Sequence, residues 1–115
     1  MDTSALAAFV SFKLKTIKMK AVFISYNQAH TEDIQQLLDS SRIRGFTQWT
    51  GVMGRGSNSG EPHYGNHAWP SMNVAMLAMV DNEKVEPLLK KLHELDLSAE
   101  QQGLRAFVWN IEETI

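Results

Sequence analysis

"SMNVAMLAMVDNEKVEPLL", residues 71–89, carries the signals that decide the fold. Residues 71–80 are almost continuously apolar, which predicts a strand in a central position of its sheet. The run stops at Asp81, and Asp81 or Asn82 can cap a helix. Val85, Leu88, Leu89 and Leu92 then recur at helical spacing. Pro87 interrupts that pattern. Proline is comfortable only in a first helical turn, so the regular helix is expected to start near Glu86.

Working outward, "MKAVFISY" (19–26) is rich in branched and aromatic residues and reads as a buried strand. After "NQAH", Thr31 is the expected N-cap, with Glu32 and Asp33 in the first turn where they suit the helix dipole. Ile34, Leu37, Leu38 and Ile43 share one helical face, and Gly45 is expected to end that element. "FTQWTGVM" (46–53) alternates in part, with Phe46, Gln48, Thr50 and Val52 facing one way. "LRAFVWNIEE" (104–113) reads as the last strand.

The order is β-α-β-β-α-β, an α+β, ferredoxin-like split βαβ unit with two helices on one face of an antiparallel sheet. The other face is bare in a single copy. Strands that are apolar on both faces need a partner, which predicts a homo-oligomer.

The chain of 115 residues has the size of one domain. Its formal net charge of −2 does not argue for general nucleic-acid binding, which wants a basic face. With no cysteine there is no disulfide framework, thiolate metal site or cysteine nucleophile, which suits a cytoplasmic protein. "SALAAFVSF" (4–12) is too short to span a bilayer, and its positive charges follow the apolar run where a secretory signal has them first. The domain is expected to begin at Met19. Residues 1–18 are expected to be an N-terminal extension, disordered or not native to the domain, with a surface anchor as the alternative. No direct membrane insertion is expected.

Between the second and third strands lies "GVMGRGSNSGEPHYGNHAWP" (51–70), a long loop dense in glycine. Such a loop inside a compact domain is usually functional or disordered. It lacks the Gly-Lys-Ser/Thr of a P-loop. His63, His67 and Glu61 offer two imidazoles and a carboxylate, ligand types for zinc, copper or nickel, but fall short of a full coordination set without a neighbouring copy. Trp49 and Trp69 flank the loop, either packing or forming a platform for a planar ligand; Trp109 reads as packing. His30 and His93 read as surface residues, and Lys84, Lys90 and Lys91 as a solvated helix face. No Ser-His-Asp order or paired-carboxylate site stands out, so an enzyme is not expected.

From Met19 onward the chain resembles the PII signal-transduction proteins and their PII-like relatives, in a superfamily that includes the CutA proteins. "RIRGFT" (42–47) resembles the entry to the second PII strand. "VMGRGSNSGE" (52–61) resembles the start of the PII T-loop. "MVDNEKVEPLLKKL" (79–92) resembles the end of the third strand and the second helix, and "GLRAFVWNIEETI" (103–115) the PII ending. The resemblance implies a homotrimer with ligand sites between subunits, sensing an adenine nucleotide or 2-oxoglutarate and signalling to a protein partner such as a membrane transporter. It implies ligand contacts from Gly54, Gly56, Asn58, Gly60 and Arg105, and partner contacts from Arg55, Tyr64 and Trp69. Two departures stand out. The second glycine-rich loop of PII is replaced by "DLSAEQQGLR" (96–105), keeping only Gly103 and Arg105. Asn58 takes the place of a glutamine used for magnesium and 2-oxoglutarate. The alternatives are a CutA-like metal-binding protein using His63, His67 and Glu61 with a divalent transition metal, and a small enzyme on the same fold.

Overall fold

A computed structural model of the protein describes residues 3–8, 18–54, 65, 72–98 and 103–115. Four strands form one sheet: β1 (Met19–Asn27), β2 (Phe46–Val52), β3 (Asn73–Asp81) and β4 (Arg105–Asn110). Two helices, α1 (Thr31–Ser40) and α2 (Asn82–Ser98), complete the order β-α-β-β-α-β. The strand order is β2-β3-β1-β4 and all three pairings are antiparallel. Residues 3–8 are helical and exposed.

The alternation of each strand explains the layering. Val22, Ile24 and Tyr26 of β1 and Val74, Met76, Ala78 and Val80 of β3 are buried beneath the helices. Ile34 and Leu38 of α1, one turn apart, and Val85, Leu88 and Leu92 of α2 close the same core. The opposite face carries Phe23, Leu77, Met79, Phe107 and Trp109 and has no layer over it among the described residues; Met79, Phe107 and Trp109 stand exposed.

Several boundaries differ from expectation. Helix α2 runs through Pro87, starting a full turn earlier than Glu86. Pro87 lies on the exposed side, where the Glu83 carbonyl it cannot pair is free to meet water, and starting early buries Val85. Thr31 is the first helical residue rather than the N-cap; its hydroxyl donates to the Gln28 carbonyl at 2.7 Å. A 3₁₀ turn, Gln28–His30, precedes it and is capped by Asn27, whose Oδ1 accepts from the Ala29 N–H at 2.8 Å. Gly45 does not end α1. Arg42 does, at φ 58°, and Ile43 is buried by the turn that follows the helix rather than on its face.

Strand β2 departs from regular pairing between Trp49 and Val52, around Gly51 at φ 67°. The run Phe46, Gln48, Thr50, Val52 therefore does not keep one face throughout. Strand β4 is shorter than 104–113. Asn110 pairs with Lys20, next to the first residue of β1, so little partner strand remains beyond it. Two of the lysines read as a solvated face cross to the end of α1: Lys84 Nζ donates to the Arg42 carbonyl at 2.9 Å and Lys91 Nζ to Ser41 Oγ at 3.4 Å. Helix α1 has no basic residue in its own last turn, and these two supply positive charge there.

Candidate functional site

At the stalk of the 51–70 loop, glycines lie close against the side chains of Met72 and Asn73. A Cβ on Gly54 would lie 2.6 Å from Nδ2 of Asn73, a buried residue at the start of β3. Gly65, at φ 67°, lies so close to Met72 that a Cβ would overlap its thioether. Gly51 has left-handed φ but only Met72 Cε near, at 3.8 Å. Glycine at these positions thus serves the packing of the stalk against Met72 and Asn73. The Gln28 N–H donates to the Met72 carbonyl at 2.9 Å, tying the stalk to the end of β1.

Arg105 opens β4 on the far side of the sheet. Gly103, at φ 74°, turns the chain so that Leu104 is buried and Arg105 enters the strand. The Arg105 guanidinium donates to the Leu104 carbonyl at 2.6 Å and to Asp96 Oδ2 at 3.4 Å. A cavity of about 250 Å³ beside it is lined by Leu89, Leu92, His93, Asp96, Leu104 and Ala106. Asp96 was not a sequence candidate; nothing in a spacing of nine residues marks it.

Gly54 and Arg105 are not brought together within one copy. Trp49 of β2 aligns with Ala75, Ala75 with Ser25, and Ser25 with Arg105, so the loop stalk and the arginine sit at opposite edges. Three interstrand steps separate them, roughly 14 Å. Gly56, Asn58, Gly60, Arg55, Tyr64 and Trp69 lie outside the described residues, as do His63, His67 and Glu61. No group of three or more metal-ligating side chains occurs among the described residues. Of the other histidines, His93 is exposed and His30 is only partly so, with Nδ1 3.7 Å from Asp33 Oδ2.

Two further features were not expected from sequence. A hollow of about 730 Å³ opens on the uncovered sheet face, lined by Met19, Ala21, Leu77, Met79 and Trp109 and by the tail 110–115. Tyr26 is wholly buried, and its hydroxyl has no hydrogen-bond partner of good geometry among the described residues. Burial raises its pKa above the ordinary tyrosine value of 10.0, with the Thr31 hydroxyl close enough to offset part of that.

Residues 19–115 match the family model described as "Nitrogen regulatory protein P-II", and the chain belongs to that family of regulatory proteins. Among solved structures, CPII from Thiomonas intermedia K12, a nitrogen regulatory PII-like protein, is similar in its complex with ADP and bicarbonate: 28% identity, TM-score 0.64, covering 83% of this chain and 90% of that one. Bacillus subtilis GlnK in complex with ATP (19% identity, TM-score 0.62, 84% of each chain) shares the fold. So does a DUF3240 family protein from Shewanella baltica OS155 (14% identity, TM-score 0.60, 84% of this chain and 93% of that one). Comparison with curated proteins yields no match. No helix among the described residues is long and apolar enough to cross a membrane.

Proposed function

We propose that the chain is a homotrimeric sensor that binds a small anion, with adenine nucleotides as the leading ligand class, in clefts between neighbouring copies. The observation that carries this reading is the placement of Gly54 and Arg105 at opposite edges of one sheet. A small ligand touching both must lie between the β2 edge of one copy and the β4 edge of the next. The uncovered apolar face supports assembly: burying the exposed halves of Phe107 and Trp109 removes on the order of 100 Å² each from water, about 2.5 kcal/mol apiece. CPII, bound to ADP and bicarbonate, supports the ligand class.

The domain in this reading is 19–115, with 1–18 an extension from it. Ligand contacts come from the 54–60 stretch and Arg105. The 51–70 segment changes its population of shapes because the ligand favours one of them, and passes that state to a protein partner such as a transporter. Calorimetric titration of metal-stripped protein with ATP, ADP, AMP, cyclic AMP and 2-oxoglutarate, with mass by light scattering, tests this. Nucleotide binding to a trimer, lost in Arg105→Gln, is the expected result. Binding of zinc, copper or nickel in place of any nucleotide, removed by His63→Ala with His67→Ala, would replace it with the metal-binding alternative.

A further inference from the structure

We infer that Asp96 is a built-in competitor for the anion at Arg105, and that its carboxylate must give up the guanidinium before any ligand anion takes it. This rests on the reading of Arg105 as an anion ligand. Asp96 stands in the last turn of α2, where the carbonyl end of the helix carries partial negative charge. No basic residue of α2 lies in that turn to offset it. Arg105, arriving from β4, is the cation that meets Asp96, at 3.4 Å. The pair is only partly exposed, with side-chain accessibilities of 43% and 26% for Arg105 and Asp96. Both residues line the same small cavity, with His93 one turn before Asp96.

Arg105 therefore already holds one carboxylate. A singly charged carboxylate that replaces Asp96 trades one ion pair for a similar one and gives up its own translational freedom. It gains little. A phosphate with two or more charges brings extra oxygens to the planar guanidinium, which can bind them in pairs. The charge of Asp96 also remains nearby and repels whatever enters, the more strongly the more negative charge the ligand carries. The Leu104 carbonyl keeps one Arg105 donor occupied in either state and holds the guanidinium at the cavity mouth.

The test is calorimetric titration at one fixed low ionic strength, with ADP and with acetate as probes, on wild type, Asp96→Asn, Arg105→Gln and the double variant. Asp96→Asn should bind ADP about two- to fivefold more tightly, the range of a partly exposed ion pair. Acetate should gain by a smaller factor, because the cost of displacing Asp96 is the same for both and only the repulsion differs. Arg105→Gln should lose ADP with or without Asp96. If Arg105→Gln loses ADP while Asp96→Asn binds both probes no better than wild type, the site stands and the competitor is refuted. Equal gains for both probes would refute the residual repulsion by Asp96. If Arg105→Gln binds ADP as wild type does, the site reading falls and this inference with it. Asp96→Ser removes the same charge and repeats the test should the asparagine variant fold poorly.

Discussion

Ile43 donates its backbone N–H to the carbonyl of Leu38 at 2.9 Å, and the two side chains lie in the same buried core. With the Arg42 N–H on the Asp39 carbonyl at 3.0 Å, this closes α1 as a Schellman turn whose left-handed residue is Arg42. An L-residue there costs roughly 1–2 kcal/mol, which glycine avoids at some loss of chain entropy. Arg42→Gly should stabilise the protein by about 0.5–1 kcal/mol in urea unfolding at fixed protomer concentration, since the carbonyl that Lys84 uses is retained. Gly45→Ala, with nothing within 4 Å of the new methyl, should be neutral or slightly stabilising. A destabilised Arg42→Gly would show that the arginine side chain has a role that outweighs its backbone strain.

The loop stalk should be intolerant of a single methyl. Gly54→Ala pushes on the Asn73 amide and Gly65→Ala on Met72, and each should lose on the order of 1–3 kcal/mol of stability. Gly51→Ala meets only backbone strain and should lose about 1 kcal/mol. Thermal melts of the three variants rank them; equal losses at all three would mean that contact with Met72 and Asn73 does not set the cost.

Alkaline unfolding should report Tyr26. Its folded pKa is raised by burial, so the unfolded chain loses this proton first as pH climbs. The stability it contributes is whole below pH 10.0 and is lost as pH rises from there through the folded pKa. Tyr26→Phe removes a buried hydroxyl without a good partner, so it should be near neutral at pH 7 and less sensitive than wild type above pH 10. Melting temperatures of both proteins across pH 8 to 11 decide this; parallel curves would place the alkaline sensitivity elsewhere, in the lysines.

The uncovered sheet face should control assembly. Phe107→Asp or Trp109→Glu should convert the proposed trimer to monomers in light scattering, because a charge desolvated at an apolar contact costs several kcal/mol. A variant that remains trimeric would put the contact on another surface. Ligand binding should weaken along with the loss of the proposed trimer, since the proposed cleft needs two copies.

The element order was legible because each element repeats one signal many times: branched and aromatic residues in β1, continuous apolar character in β3, and 3–4 spacing in α1 and α2. Single-residue signals were weaker. Thr31 has the chemistry of a cap, but Asn27 comes first and begins a 3₁₀ turn that shifts the helix start. Pro87 is a helix breaker by propensity, yet the core contact of Val85 outweighs it. Gly45 looked like a terminator because glycine prefers left-handed backbone; burial of Ile43 against Leu38 placed that conformation at Arg42 instead. For the candidate site, Gly54 and Arg105 are expectations from resemblance. Their separation across the sheet, and the hold of Asp96 on Arg105, depend on contacts far apart in the chain that no local pattern encodes.

One pairing bears on how the domain could be re-cut. Lys20, at the start of β1, lies opposite Asn110, at the end of β4, on neighbouring antiparallel strands. The first and last strands thus finish side by side, about 5 Å apart across the ladder. A short bridge there could join them, and new ends could be opened in the stretch between β2 and β3. The same adjacency would let the whole unit be spliced as a cassette into a surface turn of another protein, its entry and exit occupying scarcely more room than a hairpin.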